Sequence, residues 1–107
     1  MTSDRFRRLA LSLPEATESS HMNHPDFRVR NKIFATLDAP APGWGMVKLT
    51  PEQQTLYMLA HPDTFVAVPG GWGRKGATNV RLIKAKTDPV RRALRAAWRN
   101  TAPKDIA

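Results

Sequence analysis

Residues 69–86 read PGGWGRKGATNVRLIKAK, and within them Gly71, Gly73 and Gly76 spell G-x-G-x-x-G. In dinucleotide-binding folds that spacing follows a strand and opens a helix, so that a pyrophosphate meets the helix N-terminus. Here Gly76 is followed by ATNVRLI, which is rich in β-formers and lacks a helical period, and the stretch where a ribose-binding acid belongs is rich in arginine. The kinase variant does set its glycine loop between two strands, but 107 residues cannot hold a kinase domain, and V-A-I-K, H-R-D and D-F-G do not occur. The glycines therefore read as a wide hairpin turn, supplying positive φ and room for Trp72. PGWG at residues 42–45 echoes it as a second, similarly built corner.

Phe65–Val68 leads into the corner as a strand, and residues 78–85 leave it as another. Val80 and Leu82 share a face there, but Ile83 breaks the alternation, which places a bulge near Leu82-Ile83 and leaves the facing of Lys84 and Lys86 open. Residues 89–100 form the last helix, with Pro89 in its first turn. Upstream, Thr50-Pro51-Glu52-Gln53 is a helix start: threonine caps, proline takes the first helical position and glutamine completes a capping box. Leu56, Leu59 and Ala60 supply its apolar face, and His61-Pro62 stops it.

Trp44–Leu49 reads as a strand after a proline-rich loop at 38–43. FRVR (27–30) alternates, and a tight turn at Asn31-Lys32 leads into a strand over 33–37. Residues 16–22 form an edge strand. Residues 3–13 form the first helix, with Ser3 as cap, Phe6, Leu9, Ala10 and Leu13 on one face, and Pro14 ending it. The order helix-strands-helix-strands-helix predicts an α+β fold over residues 1–107, one domain whose mostly antiparallel sheet carries its helices on one face.

The net charge is +8, and it is not evenly spread. Residues 1–71 hold seven basic and seven acidic residues, and Lys104 cancels Asp105. The excess lies in residues 72–99: Arg74, Lys75, Arg81, Lys84, Lys86, Arg91, Arg92, Arg95 and Arg99 against Asp88 alone. Charge gathered into one segment makes a face that attracts polyanions. On a helical wheel, Val90, Ala93, Leu94, Ala97 and Trp98 make one apolar arc, while Arg91, Arg92, Arg95 and Arg99 share the other side. Like charges at i, i+4 cost a helix a few tenths of a kcal/mol each, so a purely solvated face would mix in glutamates. Arginine also suits bidentate phosphate contacts.

Other chemistries find little support. The absence of cysteine excludes disulfides and thiolate metal sites. His21 and His24 form H-x-x-H near Asp26, but at a strand-to-turn position without an identifiable third ligand, so no metal is expected. Carboxylates are scattered, and no nucleophile sits beside a base, so no catalytic activity and no cofactor are expected. Leu9–Leu13 is shorter than the apolar region of about 7–15 residues in an export signal. No stretch approaches the ~20 apolar residues of a membrane span, so a cytoplasmic protein without a membrane partner is expected.

Four strings in order, HPDFRVRNKIFATL (24–37), VKLTPEQQ (47–54), PGGWGRKGATNVRL (69–82) and LRAAWRNTAPK (94–104), resemble the MmcQ/YjbR family from about Phe6 to Lys104. The resemblance implies a small frataxin-like domain with an antiparallel sheet, described as a double-wing DNA-binding module. Where members often carry an aromatic before the threonine of the second wing this chain has Ala77, so base stacking would fall to Trp72. Iron binding in frataxin-like folds uses an acidic first helix, whereas this one sets Arg5, Arg7 and Arg8 against Asp4, so iron is not expected.

The sequence thus points to a nucleic-acid-binding module for double-stranded DNA, largely sequence-independent, acting through the basic C-terminal helix and the glycine-rich wing. Its contact residues would be Trp72, Arg74, Lys75, Arg81, Lys84, Lys86, Arg91, Arg92, Arg95 and Arg99. A protein-interaction module docking an acidic partner is the alternative, and a small-molecule cleft beside Trp44 and Trp72 is a third reading without a sequence-level active site.

Overall fold

The computed structural model describes residues 1–106. In chain order the elements are α1 (Ser3–Leu11), β1 (Ala16–His21), β2 (His24–Val29), β3 (Lys32–Leu37), β4 (Trp44–Lys48), α2 (Pro51–Ala60), β5 (Phe65–Ala67), α3 (Gly71–Arg74), β6 (Ala77–Arg81) and α4 (Thr87–Thr101). The strands form one antiparallel sheet in the order β1-β2-β3-β4-β6-β5. The predicted α+β class and element order hold.

Cross-strand pairing sorts the sheet into two faces. Leu37, Gly45, Val80 and Phe65 form one row. The Phe6 ring of α1 lies so close to Gly45 that a Cβ there would come within 2.9 Å of it. Tyr57 of α2 meets Phe65 edge-on at 5.0 Å, and Val90, Leu94 and Trp98 of α4 join the same core. Three helices thus cover this face, which also holds Phe27 and Val47. The adjacent row, Asp26-Thr36-Met46-Asn79-Val66, looks the other way.

Local chemistry explains the boundaries. Thr2 rather than the expected Ser3 caps α1, its hydroxyl accepting from the Arg5 N–H at 3.1 Å. Strand β2 starts at His24, three residues before the expected one, because Met22-Asn23 makes a two-residue hairpin with φ of 49° and 65°. The next hairpin turns at Arg30-Asn31 (φ 49° and 67°), one residue before the expected Asn31-Lys32. Two left-handed residues match the twist of an antiparallel ribbon. A register shift between β2 and β3 lets both Phe34 and Ala35 be buried.

The capping box of α2 is complete: the Thr50 hydroxyl accepts from the Gln53 N–H at 3.2 Å, and Gln53 Oε1 accepts from the Thr50 N–H at 2.9 Å. Its apolar face is not the expected one. Leu56 and Leu59 stand 66% and 76% exposed, and Ala60 is exposed too. The inward stripe is Gln54, Tyr57, Met58 and His61, spaced i, i+3, i+4, i+7. Its first member is polar because the Gln54 amide donates to the carbonyls of Gly73 and Ala77, both at 3.0 Å.

The glycine corner does join two antiparallel strands, but it is no open turn. Residues 71–74 form a helical turn, α3. Only Gly70 (φ 81°) and Gly76 (φ 111°) take positive φ there. At Gly73 the requirement is close approach, since a Cβ would sit 1.6 Å from the Val68 carbonyl oxygen. Strand β6 ends at Arg81, not at residue 85; Leu82–Lys84 is a 3₁₀ turn where a bulge was expected. The Leu82 N–H still donates to the Gly43 carbonyl, one step further along the β4–β6 register, but its own carbonyl accepts from the Ala85 N–H and the N-terminal ammonium, and the strand ends there. Helix α4 starts at Thr87, two residues early, and buries Val90, Ala93, Leu94, Ala97 and Trp98 as the wheel predicts.

Candidate functional site

Helix α4 buries one stripe and turns Arg91, Arg92, Arg95 and Arg99 to solvent. Arg91 is bound to Asp88 at 2.9 Å, one turn back. Among the described residues Arg92, Arg95 and Arg99 have no carboxylate partner. Arg92 stands beside Tyr57, whose hydroxyl is pushed above its usual pKa by burial and only partly drawn back by that guanidinium.

The first half of the chain behaves differently. Arg7 pairs with Asp4 and Glu18 at 3.1 and 3.0 Å, Arg8 with Asp4 at 3.6 Å, and Arg30 with Glu15 at 2.7 Å. Arg30's hydrogen bond holds the Glu15 carboxyl below its ordinary pKa. Arg28 grips the fully buried Asp26, Nε to Oδ1 at 2.8 Å and Nη2 to Oδ2 at 3.1 Å. His21 Nδ1 reaches Asp26 Oδ2 at 2.8 Å. The Arg28 hydrogen bonds lower the Asp26 pKa against the opposing pull of burial, and His21 adds to them.

The remaining basic residues of the sequence site lie elsewhere. Arg81 pairs across the sheet with Trp44 and stacks on it, its guanidinium carbon 5.0 Å from the ring centroid. Trp72, on α3, is 66% exposed and has two ammonium groups near its ring: Lys75 Nζ is 5.6 Å and Lys48 Nζ 6.0 Å from the centroid. Cation–π contacts of this kind hold the ring in place without covering it. Arg74 is exposed on α3, Lys84 in the 3₁₀ turn, and Lys86 immediately before α4. Trp72 and Arg81 therefore belong to the open side of the sheet, whereas the α4 arginines belong to the helix layer on the other side. The ten residues do not converge on one point.

Sequence reasoning offered a cleft beside Trp44 and Trp72 but not the residues that line the one found, which lies between Trp72 and His21. A groove of about 610 Å³ runs over the open sheet face, floored by Thr36, Met46 and Asn79 and walled by Lys48 and Trp72 at one side and His21 at the other. Trp44, expected beside such a cleft, does not line it. No carboxylate lines it either. His21 and His24 face each other across the β1–β2 hairpin. No three metal-ligating side chains gather anywhere among the described residues. No helix there is long and apolar enough to cross a membrane.

Comparison with known proteins bears on the fold. A search of curated proteins returns no match. A crystal structure of the Deinococcus radiodurans protein DR2400, described as containing a DUF419 domain, superposes with a TM-score of 0.73 over 91% of this chain and 75% of that one, at 20% identity. At that identity the likeness is one of fold. The YjbR family model matches residues 11–100, spanning every strand, the glycine corner and nearly all of α4. The chain belongs to the YjbR family.

Proposed function

We propose that this domain binds nucleic acid, double-stranded DNA in the first place, through phosphate contacts of α4 and without strong sequence preference. The observation that supports this is the guanidinium row Arg92, Arg95 and Arg99, without a carboxylate partner among the described residues, whereas Arg7, Arg8, Arg28, Arg30 and Arg91 each meet one. Arginines left without partners on one helix, at a like-charge cost, are poised for a polyanion. Arg74 and Lys75, on the turn after β5, and Lys84 and Lys86, before α4, extend the field that steers it. No catalytic role is included.

Four phosphate contacts from Arg91, Arg92, Arg95 and Arg99 set a slope of log affinity against log salt of about −3 to −4. Fluorescence anisotropy with a labelled duplex at several salt concentrations measures it. The double variant Arg95→Glu/Arg99→Glu should abolish binding at moderate salt; unchanged binding would refute the proposal. A protein partner is the second reading, favoured by Leu56 and Leu59, which stand exposed one turn apart on α2. Capture that survives nuclease treatment and is lost on Leu56→Ser/Leu59→Ser would favour it.

A further inference from the structure

We infer that the groove on the open sheet face is a nucleotide site, which holds a flat base against Trp72 with its phosphate toward Lys48 and Lys75. The first reason is unmet hydrogen-bonding capacity. Thr36 and Asn79 are 5% and 8% exposed, line the groove, and make no side-chain hydrogen bond to another group among the described residues. Among the described residues no polar side-chain atom is completely sealed off without a partner. What access these two groups have is therefore from the groove. Free of partners within the fold, these two groups are open to whatever occupies the groove. An Asn amide offers a donor and an acceptor side by side, the pattern presented by the edge of a nucleobase.

The second reason is the wall. Trp72 is a large exposed aromatic with two cations nearby, and base–aromatic stacking tolerates any base because each has a π-face. The third is charge. The groove contains Lys48 and no carboxylate; Asp26, the nearest acid on the row that floors it, is already engaged by Arg28 and His21. An anion is therefore the fitting charged group. The volume, about 610 Å³, lies within the range of small-ligand pockets.

The nucleotide unit can come from a free mononucleotide or from an unstacked base of a single strand, and the test separates them. Four 5′-mononucleotides, their nucleosides and a single-stranded tetranucleotide are titrated into isotope-labelled protein. Binding should move the backbone signals of Thr36, Met46 and Asn79 and the Trp72 indole signal, with nucleotides outbinding nucleosides. Trp72→Ala, a change at an exposed site that leaves the core intact, should weaken the interaction about five- to a hundredfold. Lys48→Met should reduce the advantage of nucleotide over nucleoside. Response to the tetranucleotide alone identifies a strand as the source; response to both identifies the free nucleotide as sufficient. No shift with either at millimolar ligand, shifts confined to α4, or a Trp72→Ala variant that binds unchanged would overturn the inference. Arg95→Glu/Arg99→Glu should leave groove shifts in place, so this site and the duplex contact stand or fall separately.

Discussion

The two faces of the sheet are made from the same strands and serve different ends. One face, with Phe27, Leu37, Val47 and Val80, is closed by Phe6 of α1, Tyr57 of α2 and Val90, Leu94 and Trp98 of α4. The other alternates with it, yet holds Asp26 on β2 and, along the groove that Trp72 walls, Thr36, Met46, Lys48 and Asn79. The first face stabilises the fold by removing apolar area from water, while the second leaves hydrogen-bonding groups and a cation unmatched. The second face is therefore the one with hydrogen-bonding groups still to offer a ligand.

That contrast can be broken by substitution, beginning where most is at stake. Phe27→Ala on the closed face should cost about 3–5 kcal/mol of unfolding free energy in urea titration, through lost burial plus a cavity. Gln54→Leu, which deprives the Gly73 and Ala77 carbonyls of the amide that ties α2 to the glycine corner, should cost about 1–3 kcal/mol. Broadened signals over residues 70–76 would locate the damage.

Acid should expose the link between the faces. The folded pKa of Asp26 is depressed, so the stability it contributes is present above the ordinary carboxylate value near 3.9 and is lost as pH falls through the folded value. Arg28 remains charged across that window. An Asp26→Asn variant should therefore show a flatter stability profile below about pH 4 than the parent; parallel profiles would remove Asp26 from the account. Smallest of all, Thr36→Val on the open face should change stability by less than about 1 kcal/mol, because an unpartnered hydroxyl is replaced by a methyl of the same shape. A large loss there would mean that the open face is structural after all.

Which features were legible in the sequence follows from the range of the interactions involved. The capping box at Thr50-Gln53 and the apolar arc of α4 depend on residues three or four apart, and both are as the sequence predicts. The α2 stripe misled because its inward residue is a glutamine, chosen for two carbonyls on a distant loop that hydrophobic counting cannot see. The end of β6 misled for the same kind of reason: a continuous β-rich string turns at Leu82, whose carbonyl is taken by the distant Met1 ammonium and the Ala85 N–H.

Chain-local chemistry settled the antiparallel α+β class, the gathering of charge in residues 72–99 and the single arginine face of α4. The tertiary structure decided which guanidiniums meet a carboxylate from a distant part of the chain, as Arg7 does at Glu18 and Arg30 at Glu15. It also placed Trp72 and the α4 arginines on opposite sides of the sheet. The groove required it most: Thr36, Met46 and Asn79 come from three strands and meet only through cross-strand register, and register is a property of paired chains rather than of any one segment.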